Sequence, residues 1–297
     1  MFDIATIISF LLAIILIGKK SREKVNGFFN ASSYKFWLLP IAPIAIYISF
    51  IISGNNNVSF ANLPAVILYF FLPTLIVYWS KKTKNDNFLL NAIFVLLIWL
   101  PVEFGLVPIM WTSGKQPPIL FSFATLFYIL MLATYSKSLP LYCDWKLSKN
   151  DLRLIINIFI ILVIIILPLA FALDFIKFGL RKSFVTHPFR IAISYALGIF
   201  FTTALPEELI FRGLIQNAIL KKFSFYRGLL IAAIIFGLSH FNNTNGGFPI
   251  PNWRFVLLAT IAGLGYGYVF MNRKSLIAAV LLHTMINFIW VIFFAGK

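Results

Sequence analysis

Two adjacent carboxylates, Glu207 and Glu208, precede Arg212 in the run Pro206-Glu207-Glu208-Leu209-Ile210-Phe211-Arg212-Gly213, inside a stretch that is otherwise apolar from about residue 191 to 220. Burying charge in hydrocarbon is costly, so ionisable residues at such a place are candidates for function. Of the nine acids in the chain, only Glu103, Glu207 and Glu208 fall well inside apolar runs. Glu208 and Arg212 are i and i+4, neighbours on one helical face and a natural ion pair. Glu207 points about 100° away. A carboxylate held by arginine stays ionised, whereas one left in an apolar pocket is better suited to trade a proton with water near neutral pH. Glu207 is therefore the candidate general base and Glu208 its structural neighbour. Glu103, beside Pro101, reads as structural or interfacial, with no partner evident in the sequence.

Two of the three histidines also fall in apolar spans: His240 in Phe236-Gly237-Leu238-Ser239-His240, and His283 in His283-Thr284-Met285-Ile286-Asn287. Counting helical rise from the nearest basic loop puts Glu207 at roughly 21 Å, His240 at roughly 20 Å, His283 at roughly 14 Å and Asn287 at roughly 20 Å. Three helices thus carry polar groups at one level. His283 and Asn287, again i and i+4, can aim two donors at one point, as stabilising an oxyanion requires. Each residue alone has a plainer reading. A Glu-Arg pair, a histidine or an asparagine can simply hold membrane helices together, and Gly263 with Gly267 forms a small-xxx-small pair for close helix approach.

The elements that position these residues follow from composition. With 61% hydrophobic and 11% charged residues, the chain cannot be a soluble globular domain, whose charged share is about 25%. The expected fold class is all-α, a polytopic membrane helix bundle of about 10 transmembrane segments: 3–18, 36–53, 63–79, 88–111, 119–136, 152–173, 190–220, 228–241, 253–271 and 275–294. The seventh is too long for one straight span, and Pro206 offers a place to bend it. The first has no basic residue ahead of it and no small-residue cleavage site behind it, so it reads as an anchor. A net charge of +16 would suggest nucleic acid in a soluble chain. Here the cations cluster between apolar runs, where they set topology, and nucleic acid is not expected as a partner. If ten spans alternate, the loops at Lys19–Lys24, Lys81–Lys84, Lys137–Arg153, Lys221–Arg227 and Arg273–Lys274 share the cytoplasmic face, with Asn242–Asn252 outside. Lys177, Arg181, Lys182 and Arg190 fall on the other face, so that segment either lies along the interface or betrays a miscounted span. The single cysteine, Cys143, excludes an intrachain disulfide.

The ordered set Glu207-Glu208-x-x-x-Arg212, Phe236-x-x-x-His240 and His283-x-x-x-Asn287, with a Gly-rich helix before the third, resembles the three motifs of the CPBP family. This family comprises the type II CAAX prenyl proteases and the bacteriocin-processing and self-immunity (Abi-like) proteins. The resemblance covers about 190–292 and implies a division into an N-terminal transmembrane bundle of unknown role, 1–189, and a catalytic core, 190–297. It further implies an intramembrane glutamic endopeptidase without metal or other cofactor. Glu207 would activate water with His240 orienting it, His283 and Asn287 would form the oxyanion hole, and Glu208 with Arg212 would support the first motif. The partners implied are the lipid bilayer and a peptide or membrane-protein substrate, possibly prenylated. Bias toward lysine, asparagine, isoleucine and phenylalanine suggests an AT-rich bacterial or archaeal genome and hence a prokaryotic cytoplasmic membrane, which favours a peptide segment over a prenylated CAAX protein. Two other readings use the same residues. Glu207, His240 and His283 could ligate a catalytic zinc, although no His-Glu-x-x-His motif is present. A non-enzymatic immunity protein, scaffold or proton-relaying transporter could also bury this cluster.

Overall fold

The computed structural model describes residues 11–294 apart from 13, 16, 30–33, 56–57, 84–87, 108–118, 136–144 and 245–246. The expected span at 3–18, the loop carrying Cys143, Gly246 and parts of the basic loops lie outside the described residues in whole or in part. Eleven helices are named here in chain order: α1 (Lys19–Phe28), α2 (Leu38–Ile52), α3 (Leu63–Thr83), α4 (Phe88–Glu103), α5 (Ile119–Tyr135), α6 (Lys149–Ala172), α7 (Lys182–Thr186), α8 (Pro188–Leu220), α9 (Phe225–Leu238), α10 (Trp253–Arg273) and α11 (Leu276–Phe293). No strand occurs among the described residues. Segments that are apolar on all sides become helices because hydrocarbon offers no partner for the backbone, and a helix satisfies its own.

Among the described residues, six helices are long and apolar enough to cross a membrane: Tyr34–Ile52, Phe60–Thr83, α6, α8, α10 and α11. Three shorter apolar helices, Leu89–Glu103, Leu120–Tyr135 and Phe225–Leu238, coincide with expected spans but fall short of that length.

The chain forms two compact units. The first comprises Met1–Asp144 with Gly213–Ala218, and the second Trp145–Arg212 with Ile219–Lys297. Within the first unit, buried hydroxyls tie the helices to one another. Tyr128 on α5 donates to the Phe70 carbonyl of α3 at 2.6 Å, and Tyr69 on α3 donates to the Ile98 carbonyl of α4 at 3.2 Å. Such groups find backbone partners because an unmade hydrogen bond in an apolar interior is costly. Glu103 does have a partner here: Trp99 Nε1 donates to its carboxylate at 3.1 Å.

The second unit contains all the site residues. α6 begins with a capping box in which Ser148 Oγ accepts from Asp151 N at 3.2 Å and Asp151 accepts from Ser148 N at 2.7 Å. Arg273 at the end of α10 lies 3.4 Å from the same Asp151, so α6 starts where α10 stops. α10 and α11 have their own caps, the side chains of Asn252 and Ser275. α9 and α10 approach closely. A Cβ on Gly237 would collide with the Thr260 side chain and come within 2.7 Å of the Val256 carbonyl, and one on Gly263 would stand 3.0 Å from the Phe236 ring. α6 precedes the boundary at 190 expected for the core, yet it packs on α10: a Cβ on Gly265 would sit 2.7 Å from Leu162.

α8 remains helical through Pro206. The helix widens into π turns at Phe200–Ala204 and Leu209–Gln216, one on each side of the proline and the two glutamates. Pro206 has no N–H to give to the preceding turn, and π turns of this kind occur disproportionately at functional sites.

Candidate active site

Glu208 and Arg212 form the ion pair that their spacing predicts. Arg212 Nε donates to Glu208 Oε2 at 2.8 Å, with both side chains fully buried. The other two guanidinium nitrogens, Nη1 and Nη2, have no hydrogen-bond partner among the described residues. The guanidinium carbon instead lies over aromatic faces, 4.8 Å from the centre of Phe236 and 5.9 Å from that of Tyr266. A desolvated cation gains from the negative face of a ring.

The second oxygen of Glu208 belongs to a different helix pair. His283 Nδ1 donates to Glu208 Oε1 at 2.9 Å, and Asn287 Nδ2 donates to His283 Nε2 at 3.0 Å. An ionised carboxylate only accepts and an amide NH2 only donates, so one ring proton, on Nδ1, satisfies both contacts. A line of oriented groups thus runs from Arg212 through Glu208 and His283 to Asn287. The sequence predicts that His283 and Asn287 aim two donors at a common point. In the structure they bond to each other, because a side-chain pair one helical turn apart can also close on itself.

Glu207 is the contrasting case. Its Oε2 is buried with no hydrogen-bond partner among the described residues, and it lies 3.9 Å from His283 Nε2. That separation is too long for a hydrogen bond.

His240 stands in the turn that ends α9, two residues past the last helical position. Its Nδ1 donates to the Phe236 carbonyl at 2.9 Å, which leaves Nε2 with the ring's lone pair. Phe236 packs edge-on against both imidazoles, 5.0 Å from His240 and 5.9 Å from His283. On the far side of His240, Phe255 lies at 4.5 Å and leads to Phe175 and Trp290. The structure therefore brings Glu207, Glu208, Arg212, His283 and Asn287 into one set of contacts, and joins His240 to them through the Phe236 ring.

Tyr266 is the residue that motif reading passes over. Its ring stacks on His283 at 4.6 Å with planes 15° apart, and it is buried. A signal was present: Tyr266 is the aromatic residue set between Gly265 and Gly267 on a helix of small residues, where its flanks are bare. No group of three His, Cys, Asp or Glu side chains among the described residues is gathered as a bound metal would require.

Two carboxylates, two imidazoles and an amide are thus gathered among apolar helices. Residues 189–289 match the family described as type II CAAX prenyl endopeptidase, Rce1-like, and all six motif residues fall within that match. Over this stretch, about a third of the chain, the protein is similar to the CAAX proteases, and it is a peptide hydrolase. With its six sufficiently long apolar helices it is an integral, multi-pass membrane protein. Comparison with curated proteins and with solved structures found no match.

Proposed function

We propose that the protein is an intramembrane endopeptidase in which Glu207 activates water against a peptide carbonyl. The observation that carries this reading is the difference between two neighbouring carboxylates: Glu208 is bonded by Arg212 and His283, whereas Glu207 Oε2 is buried without a hydrogen bond, 3.9 Å from His283 Nε2. Glu207 Oε2, which carries no hydrogen bond of its own, can receive one from a water at about 2.8 Å. Glu207 takes the proton as the water attacks and passes it to the leaving amine, as general base and then general acid. Asn287 has two amide hydrogens. One is held by His283 Nε2, and the second is free to stabilise the developing oxyanion. Glu208 and Arg212 fix the ring of His283, and through it Asn287. His240, with its Nε2 lone pair, is the second group that orients water or substrate.

The core at 190–297 carries the chemistry, and the substrate is a peptide or membrane-protein segment, which the composition favours over a prenylated protein. Ten spans in a prokaryotic cytoplasmic membrane, with Lys221–Arg227 inside and Asn242–Asn252 outside, accommodate the distribution of cations. Cysteine labelling tests that topology. In a Cys143→Ser background, a cysteine at Asn243 reacts from the outside, and reaction from the cytoplasmic side alone refutes it.

The mechanism is tested with Glu207→Gln, which keeps shape but cannot accept a proton. The purified variant inserts and folds as wild type, and its turnover of a peptide substrate falls by about 10² to 10⁴. Full activity excludes Glu207 as the base. Comparison of membrane proteomes with wild type and Glu207→Ala identifies the substrate as the protein that accumulates uncleaved.

A further inference from the structure

The segment joining α6 to α8, with the first turn of α8, carries four cations, Lys177, Arg181, Lys182 and Arg190, against one acid, Asp174. It is held at the common end of three candidate spans. Gly179 N donates to the Phe293 carbonyl and Arg181 N to the Ile292 carbonyl, each at 2.9 Å. The Arg181 side chain adds Nε to the Val291 carbonyl at 3.1 Å and Nη1 to the Tyr195 hydroxyl of α8 at 2.9 Å. Phe171 and Phe178 both pack on Phe294, at 5.7 and 6.2 Å. The last turn of α6, the first turns of α8 and the C-terminal end of α11 therefore meet at one end of these spans.

What the segment displays there is of two kinds. Phe178 and Phe189 are 71% and 85% exposed, and Val185 and Ile193 lie 63% and 61% open. Between them stand Lys182 and Arg190, both exposed and without an acidic partner among the described residues, while Lys177 is 3.9 Å from Asp174. In water, exposed rings of this size would be a liability. At a membrane boundary, rings enter the acyl region and neighbouring cations reach the phosphates.

We infer that residues 177–193 form a binding surface for anionic phospholipid headgroups, with Lys182 and Arg190 engaging the phosphates and Phe178, Val185 and Phe189 seated in the bilayer. Arg181 is excluded from that role because its guanidinium is committed to Val291 and Tyr195. This surface accounts for the one basic segment that opposes the distribution of the other cations: its charge is matched by lipid on its own side. The inference is independent of the peptidase reading, since it uses no residue of the active site.

The test is a local one. Full-length protein carrying Cys143→Ser and Val185→Cys is labelled with an environment-sensitive fluorophore and placed in nanodiscs that mix phosphatidylglycerol with phosphatidylcholine, one or the other brominated. A brominated lipid quenches the probe when its chains lie beside residue 185. The expected result is quenching by both lipids with an excess from phosphatidylglycerol, a local enrichment of about fivefold per cation and about 25-fold for the pair. Lys182→Gln with Arg190→Gln removes the excess and leaves the phosphatidylcholine quenching in place, and high salt reduces the excess. Equal quenching by the two lipids in the parent protein, or an excess that survives the double substitution, overturns the headgroup assignment. No quenching by either lipid overturns the placement at the bilayer and leaves an acidic soluble partner as the occupant.

Discussion

Replacing Arg212 by methionine removes the guanidinium while keeping the length of the side chain, and the structure states what that change strands. Glu208 and Arg212 are both fully buried, and they are joined by one contact of 2.8 Å between Nε and Oε2. A hydrogen bond to a charged group is worth about 1.5 to 3 kcal/mol. The guanidinium over Phe236 adds about 0.5 to 2 kcal/mol. Their sum agrees with the cost of breaking a buried ion pair by removing one partner, about 3 to 5 kcal/mol. At 1.4 kcal/mol per tenfold, the ratio of folded to unfolded protein falls by at least about 10². The loss comes chiefly from the orphaned carboxylate, so removing its charge as well restores much of it. Glu208→Gln with Arg212→Met is therefore more stable than Arg212→Met alone, since the glutamine carbonyl still accepts from His283 Nδ1. Thermal unfolding in detergent across wild type, both single variants and the double gives the coupling directly. Two outcomes refute the reasoning: Arg212→Met melting together with wild type, or a double variant less stable than the Arg212→Met single.

Asn287→Ala removes the free amide hydrogen assigned to the oxyanion, and kcat is expected to drop by about 10² to 10³ with KM little changed. Activity is expected to survive exhaustive chelation. In the structure both ring nitrogens of His283 are engaged, by Glu208 and by Asn287. Zinc would need a ring nitrogen at about 2.0 to 2.1 Å. Close to one zinc per active chain, with activity lost on its removal and restored on its return, would replace the glutamate mechanism by a metalloprotease.

The contacts legible in the sequence are those that one helix fixes by itself. Glu208 with Arg212, His283 with Asn287 and Trp99 with Glu103 are all four residues apart, and a helix of 3.6 residues per turn brings such pairs together whatever surrounds it. The third pair was open to the same reading and went unread. Composition decided as firmly that the chain is helical and lives in lipid, because an apolar run of this kind has no other way to satisfy its backbone. Length was read less well. The apolar runs 88–111 and 228–241 extend past the helices they form, α4 ending at Glu103 and α9 at Leu238.

Contacts between helices were decided by tertiary structure alone. Glu208 reaches His283 across 75 residues, and whether two helices present those faces to each other depends on their rotation and separation, which no local spacing encodes. Here the separation is set by Gly237 and Gly263, whose missing side chains let α9 and α10 close around Phe236. Only then does that ring come to lie beside Arg212, His240 and His283, with Tyr266 stacked on His283. The sequence determined which groups can ionise within the membrane. Packing decided that Glu208 would be bonded on both oxygens and that Glu207 Oε2 would be left without a hydrogen bond, because a buried carboxylate is satisfied only by what neighbouring helices bring to it.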